Sequence, residues 1–194
     1  MMEIRGTHLE IDKFYHIFNR GINSKLTFLS NENYNYFLQK VKVYLVPYFD
    51  IYAYCLMPNH FHFLLKVRSV EEIAFSEKKS GLHSEDGFFS KAIGKLISSY
   101  TQSFNKVYQR SGPIFESPFK RIHIDSDDYL RNLIVYIHQN PENFYTYKFS
   151  SYPAIISNAE TNIMRKDVLE LFGDRENFIQ CHLKEINLNF VKDF

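Results

Sequence analysis

The feature of the sequence that most limits its possible folds is a pair of apolar runs, 49–56 and 61–67, joined through Met57, Pro58 and Asn59. Both runs are rich in β-branched and aromatic residues, which is typical of strands. A connection this short is typical of neighbouring antiparallel strands. The sequence therefore predicts a hairpin, and a fold that is built on an antiparallel sheet.

Residue periodicity predicts the remaining elements. Alternation along the chain indicates strands, and apolar residues at helical spacing between capping residues and prolines indicate helices. In chain order, the predicted elements are a strand at 13–20, a helix at 31–46, the hairpin, a helix at 88–109, a strand at 114–124 and a helix at 127–140. This order predicts an α+β fold of the ferredoxin-like class, with an antiparallel sheet and helices packed on one face.

Two segments fall outside this pattern. The segment 69–87 is polar and contains Ser and Gly, which predicts a mobile surface loop without fixed structure. The part after Ser150 predicts one or two helices, at 168–172 and 175–186. We therefore divide the chain into one domain at 1–152 and a helical C-terminal extension at 153–194.

The composition is that of one compact domain. The chain has 194 residues, 45% of them hydrophobic, and a formal net charge of +1. Such a chain is neither disordered by composition nor basic overall, so any nucleic-acid surface has to be local. Its two cysteines, Cys55 and Cys181, indicate neither a disulfide framework nor a thiolate metal site. No run approaches the ~20 apolar residues of a membrane span, and we expect a cytoplasmic protein.

His60 and His62 stand two residues apart in the second hairpin strand. Successive side chains of a strand point to opposite faces, so the two imidazoles share one face while Phe61 and Phe63 share the other. Together with an oxygen or amide ligand from elsewhere, two imidazoles can bind a divalent metal ion. The alternative is a pair of surface or hydrogen-bonded histidines. The apolar neighbours favour the metal, because unpaired imidazoles in a buried strand are costly.

The helix at 127–140 carries a second candidate group. At about 100° per residue, Tyr136 lies on one flank of the apolar stripe and Asn140, four residues later, lies on the same flank. His138 is predicted on the opposite flank and Gln139 in solvent. A tyrosine can attack a phosphodiester and keep the bond energy in a covalent ester. The alternative is that Tyr136 is a packing residue, like most of the 14 tyrosines.

Basic residues are concentrated between positions 91 and 121, where six of them stand against one acidic residue, Glu116. We predict a DNA-binding surface from Arg20 and from these six, which are Lys91, Lys95, Lys106, Arg110, Lys120 and Arg121. Neighbouring aromatic residues could stack unpaired bases, and Tyr108 is one of them. The alternative is a solvated helix face over core aromatics, and for Tyr100 and Phe104 we expect the core position.

Three segments closely resemble the single-tyrosine HUH transposases, and more specifically their REP-associated branch. These segments are YHIFNRG at 15–21, LMPNHFH at 56–62 and YIHQNP at 136–141. Further similar positions lie in the strand before the tyrosine helix and at 150–152. The resemblance thus spans about the first three quarters of the chain in the order of the family, which is more specific than any one motif.

The resemblance implies a transposase that cuts and rejoins single-stranded DNA, with 1–152 as its catalytic domain. His60 and His62 would hold Mg²⁺ or Mn²⁺, and Asn140 matches the position of the family's third metal ligand. Tyr136 would attack the scissile phosphate, form a 5′-phosphotyrosine and release a 3′-hydroxyl. The implied partner is single-stranded or hairpin DNA, bound by a monomer or by a homodimer that exchanges tyrosine helices.

The sequence also departs from the family pattern. Glu142, Asn143 and Pro118 stand where the family usually has small apolar or basic residues, which removes positive charge from the predicted DNA-facing region. Two other functions stay open. The same layout serves non-catalytic modules that bind single-stranded nucleic acid, although their sheets present aromatic rings rather than histidines. A metal-dependent phosphoesterase in which water attacks would leave Tyr136 with a structural role.

Overall fold

The structure is a computed structural model that describes residues 7–69 and 85–184. Its elements are β1 (Phe14–Arg20), a short 3-10 helix (Ile22–Ser24), α1 (Asn31–Tyr44), β2 (Phe49–Met57), β3 (His60–Val67), α2 (Glu85–Val107), β4 (Lys120–Ile124), α3 (Asp127–His138), α4 (Tyr152–Ile156), α5 (Arg165–Leu171) and α6 (Arg175–His182). The predicted loop at 69–87 lies mostly outside the described residues. Its last predicted residues, from Glu85 onward, belong to α2 instead. The end of the helix predicted at 175–186 also lies outside them.

In the described part of the chain, a four-stranded sheet has the order β2-β3-β1-β4. Every pairing is antiparallel, and the hairpin register places Met57 opposite His60 across a turn at Pro58 and Asn59. The predicted α+β fold on an antiparallel sheet is therefore confirmed. β3 lies between two other strands, so the strand with His60 and His62 is central, as expected from its apolar neighbours.

The helices α1 and α2 pack on one face of the sheet. The ring of Phe37 in α1 lies 5.3 Å from Phe61 and 6.4 Å from Phe63, and Phe89 in α2 lies 5.8 Å from Phe49. Tyr100 and Phe104 are buried in the same layer, which confirms their predicted core positions. Burial of each such ring contributes roughly 1.5–3 kcal/mol. The aromatic layer thereby fixes which face of β3 is the core face and turns the two histidines to the other.

The helix α3 packs over that other face, so the helices are not confined to one face as expected. The ring of Tyr136 lies 5.7 Å from the ring of His62, which points away from Phe61. The predicted apolar stripe of α3 is buried and consists of Leu130, Leu133, Ile134 and Ile137. Because the apolar residues of β2 and β3 occupy both faces, each face needs a cover. Sequence periodicity gave the stripe but not the face on which it docks.

The fourth strand is shorter than predicted, at Lys120–Ile124 instead of 114–124. Upstream of it, the described backbone forms an isolated bridge between Phe115 and Gly21, the residue that follows β1. Pro118 has no N–H to donate to a neighbouring strand, which explains why the ladder begins only after it. β-propensity alone therefore overestimated the strand.

The C-terminal helices α5 and α6 confirm the predicted helical character of this part of the chain. The residues leading into α5 join the edge of the sheet, where Ile163 bridges Ile51, and the hydroxyl of Tyr52 donates to Asp167 at 3.0 Å. The short helix α4 was not predicted. Within the described ranges, the helices lack the length and apolar character that crossing a membrane requires.

Candidate active site

The two histidines share one face of the sheet, as strand alternation predicted, and α3 lies over that face. The rings of His60 and His62 are 5.1 Å apart between centroids and nearly perpendicular. His62 is buried with 2% of its surface exposed, whereas His60 is half-buried and borders a cavity. Its surroundings therefore hold the pair in a fixed position, and a ligand that enters the cavity can contact it.

The hairpin turn before the pair is held against the end of β1. The N–H of Gly21 donates to the carbonyl oxygen of Asn59 at 2.7 Å. A Cβ atom at position 21 would lie 2.1 Å from the carbonyl oxygen of Lys25, so this close approach requires glycine. The turn thereby places Asn59 beside His60.

His60 faces two acceptor oxygens. Its Nδ1 lies 2.6 Å from Oδ1 of Asn59, and its Nε2 lies 3.3 Å from Oδ1 of Asn140. Both amide groups are oriented by their nitrogens, which donate to the carbonyl oxygens of Ser24 and Tyr136. Burial lowers the pKa of His60, so the ring is neutral at pH 7 and carries one N–H. Because the contact with Asn59 is the shorter of the two, we infer that Nδ1 carries this proton, which leaves electron pairs facing each other at Nε2 of His60 and Oδ1 of Asn140.

His62 has a partner that the sequence interpretation missed. Nε2 of His16 lies 3.0 Å from Nδ1 of His62, and the two rings are stacked at 22°. Both side chains are buried, and burial lowers the pKa of each, to about 3 for His16. The signal was present in the sequence, because His16 shares one face of β1 with Phe18 and Arg20. Only the strand register brings that face beside His62.

Tyr136 on α3 lies over the histidines. Its ring stands edge-on to His62 and also edge-on to His16, with the latter centroids 6.5 Å apart. Burial raises the pKa of Tyr136 to about 12, although Asn140 and Arg20 act in the opposite direction. The side chain is therefore a phenol at neutral pH. A cation placed beside it would favour the phenolate, since opposite charges stabilise an ionised group.

These side chains line one cavity of about 210 Å³. Its lining consists of Phe18, Asn19, Arg20, His60, His62, Lys120, Tyr136 and Asn140. Nζ of Lys120 lies 5.7 Å from the ring centroid of Phe18 and 3.8 Å from a carboxylate oxygen of Glu116. Two cationic side chains, two imidazoles and a phenol on one cavity suit an anionic ligand that reacts with a nucleophile.

The other predicted basic residues lie elsewhere. Lys91, Lys95 and Lys106 are exposed on α2, which packs on the opposite face of the sheet. Arg121 donates to the hydroxyl of Ser90, and Arg110 donates to the carbonyl oxygen of Pro113 at 3.4 Å. The fold therefore divides the predicted DNA surface between two sides of the sheet, with Arg20 and Lys120 beside the cavity.

The donor set fits a divalent cation. Across residues 7–69 and 85–184, no group of three His, Cys, Asp or Glu side chains is placed to bind a metal. The set at the cavity is instead two imidazoles, His60 and His62, and the amide oxygen of Asn140. Imidazole nitrogens bind divalent transition metals, and the amide oxygen, with water or phosphate oxygens to complete the ligand shell, is the type of ligand that Mg²⁺ and Mn²⁺ prefer. The facing electron pairs at Nε2 of His60 and Oδ1 of Asn140 are what a bound cation would separate.

Solved structures provide the comparison for this fold. A REP-associated tyrosine transposase bound to a REP hairpin is similar to this chain, with a TM-score of 0.56, 16% sequence identity, and coverage of 81% of this chain and 87% of that one. The chain has a tyrosine-transposase-like fold. A bacterial tRNA(His) guanylyltransferase-like protein in complex with GTP gives a TM-score of 0.40 at 12% identity, over 69% of this chain and 64% of that one. No known protein family and no curated protein matches the sequence.

Proposed function

We propose that this protein cleaves and rejoins single-stranded DNA in a metal-dependent reaction, with Tyr136 as the nucleophile. The observation that carries the proposal is the arrangement at His60, whose Nε2 lies 3.3 Å from Oδ1 of Asn140 beside the cavity that Tyr136 also lines. The likeness to a tyrosine transposase that is bound to a hairpin supports DNA as the substrate class. Transposition is the activity that such strand transfer would serve.

The proposed reaction exchanges one ester for another. The phenol oxygen of Tyr136 attacks the scissile phosphorus, the bond between phosphorus and the 3′-oxygen breaks, and the phenol proton ends on that 3′-oxygen. The products are a 5′-phosphotyrosine and a 3′-hydroxyl, and the reverse reaction with another 3′-hydroxyl rejoins DNA. Mg²⁺ or Mn²⁺ held by His60, His62 and Asn140 would polarise the phosphate oxygens.

Each remaining side chain of the cavity has a role in this proposal. Arg20 and Lys120 bind the phosphates on either side of the scissile bond, and the charge of Arg20 also opposes the raised pKa of Tyr136. Asn140, just after the end of α3, donates to the carbonyl oxygen of Tyr136 and so presents its oxygen, not its nitrogen, to the cavity. The wall formed by Phe18 limits the access of water, which protects the covalent ester from hydrolysis.

The test is covalent capture of DNA. The full chain is incubated with Mn²⁺ and a panel of hairpins with single-stranded flanks, and the products are separated by denaturing electrophoresis. We expect a protein–DNA adduct with the wild type and none with Tyr136→Phe. The matched control is Tyr129→Phe, two turns earlier on α3 and away from the cavity lining, which should form the adduct normally.

Other outcomes select the other functions. Cleavage that persists in Tyr136→Phe without an adduct would identify a phosphoesterase that uses water. Tight DNA binding with neither cleavage nor adduct, in the presence of bound Mn²⁺, would identify a binding module. An adduct of normal yield in Tyr136→Phe would assign the nucleophile to another residue.

A further inference from the structure

The pairing of His16 with His62 defines a hydrogen bond whose direction matters. The two nitrogens, Nε2 of His16 and Nδ1 of His62, are 3.0 Å apart and buried. At this distance they share one proton, because two N–H groups or two electron pairs would repel each other. The direction of this bond determines which nitrogen of His62 carries the proton of that ring.

A bond donated by His62 leaves its Nε2 with an electron pair, which can bind a metal ion. A bond donated by His16 places the proton of a neutral His62 on Nε2, which then cannot bind one. Histidines that bind metals almost always donate their second N–H to a nearby acceptor. His16 is the residue placed to provide such an acceptor, although it lies on a different strand from the pair.

The geometry also separates His16 from the metal ligands themselves. His16 and His62 occupy diagonal positions on one face of β1 and β3, because Phe18 pairs with His62 and Leu64 pairs with His16. The stacked rings, 5.2 Å apart, direct the Nε2 of His16 at His62 and not at the cavity. His16 is also absent from the residues that line the cavity, whereas His60 and His62 line it.

We infer that His16 is a positioning residue that accepts the Nδ1–H of His62 and so keeps the Nε2 of His62 available to a divalent metal ion. The inference rests on the proposed metal-dependent function and adds a residue to it. His16 then accepts from Nδ1 of His62 as Asn59 accepts from Nδ1 of His60, where the distance to Oδ1 of Asn59 is 2.6 Å. Each ligand histidine then donates one N–H to a fixed acceptor and directs its other nitrogen toward the metal.

Two substitutions separate this role from simple packing. His16→Gln retains an oxygen that can accept the bond, whereas His16→Leu fills similar space without an acceptor. Mn²⁺ affinity is measured by calorimetry on the full chain, with circular dichroism as the check of folding. We expect His16→Leu to bind Mn²⁺ about 10- to 100-fold more weakly, as for other residues that hydrogen-bond to metal ligands. His16→Gln should stay close to the wild-type affinity.

The proton position is observed directly in the metal-free wild type. Long-range ¹⁵N–¹H correlation spectra of the imidazoles show which nitrogen of His62 is protonated, and we expect Nδ1. A proton on Nε2 would overturn the inference, as would equal Mn²⁺ affinities in the wild type and a folded His16→Leu. If His16→Leu does not fold, the wild-type spectrum and the affinity of His16→Gln decide the question.

Failure of the proposed function has a different signature. A wild-type protein with His62 protonated on Nδ1 that binds no Mn²⁺ would refute the metal-dependent reaction and, with it, the metal-positioning role of His16. A wild type that binds Mn²⁺, but with the same affinity as both variants, would remove only the role of His16.

Discussion

Two groups of histidines lie on either side of α3, and they differ in how their hydrogen bonds are completed. His138, His182 and Ser151 form a sealed chain. The Nδ1–H of His182 donates to the carbonyl oxygen of Phe178 at 2.7 Å, so its Nε2 accepts from Nδ1 of His138 at 2.8 Å. Nε2 of His138 then accepts from the hydroxyl of Ser151 at 2.7 Å. Every imidazole nitrogen has one partner of the opposite kind.

The group at the cavity is not closed in this way. His60 faces acceptor oxygens at both of its nitrogens, Oδ1 of Asn59 and Oδ1 of Asn140, and a neutral imidazole has one proton for the two. Buried polar groups of folded proteins are almost always paired. A histidine group whose hydrogen bonds are complete therefore stabilises the fold. A group with more electron pairs than protons, next to a cavity, is suited to binding a cation. Four experiments test this distinction.

The largest effect is expected from removing a ligand histidine. His60→Ala should reduce the rate of Mn²⁺-dependent adduct formation by about 10³-fold, because a metal that polarises a phosphate contributes several kcal/mol to the transition state. Single-turnover adduct assays measure the rate. The control is His123→Ala, a half-buried histidine of β4 whose side chain contacts Tyr15 on the other face. Equal rates in the two variants would contradict the distinction.

The sealed chain should matter for stability instead. His138→Ala removes the donor to Nε2 of His182 and one acceptor of the Ser151 hydroxyl, which keeps its contacts with the backbone of Tyr54, and we expect a loss of about 3 kcal/mol in the free energy of unfolding. Urea denaturation at pH 7 measures it. A loss below about 1 kcal/mol would show that the chain contributes little. Mn²⁺ affinity, measured where the variant is folded, should be unchanged.

Bound metal should stabilise the protein only through the histidines at the cavity. At a Mn²⁺ concentration 100 times the dissociation constant, the free energy of unfolding of the wild type should rise by about 2.7 kcal/mol. The same titration should not change the stability of His60→Ala and should stabilise His123→Ala as much as the wild type. Stabilisation of His60→Ala by Mn²⁺ would place the metal elsewhere.

The smallest effect, taken per pH unit, is a pH dependence that comes from the sealed chain. Burial lowers the pKa of His182 from its ordinary value of 6.5 to about 4. As the pH falls, this residue is therefore protonated at a higher pH in the unfolded state than in the folded state. The stabilising contribution of neutral His182 to the free energy of unfolding is therefore complete above pH 6.5. It is lost as the pH falls toward 4, at up to about 1.4 kcal/mol per pH unit. Urea denaturation of the wild type and His182→Gln across this range should give a shallower slope for the variant. Parallel slopes would refute the assignment.

The sequence was most informative where a local period decides the outcome. Strand alternation placed His60 and His62 on one face, because this pattern depends on the geometry of a single element. Helical spacing also placed Asn140 beside Tyr136, although α3 ends at His138 and Asn140 lies just after it. The same reasoning put His138 on the other flank of α3, where it bonds to His182. It failed for Gln139, whose side chain is not in solvent but donates to carbonyl oxygens of His182 and Lys184. Periodicity predicts the direction in which a side chain points, but not which other residues of the chain will pack against it.

By itself, the sequence determined the hairpin, the order of the main strands and helices, and the shared direction of each candidate pair. Tertiary structure decided the rest: the face on which α3 docks, the register that brings His16 to His62, and the separation of Lys91 and Lys95 from the cavity. The physical reason is the range of the interactions. Hydrogen bonds and side-chain spacing within an element repeat every few residues, whereas strand register and helix docking depend on the packing of residues far apart in the chain.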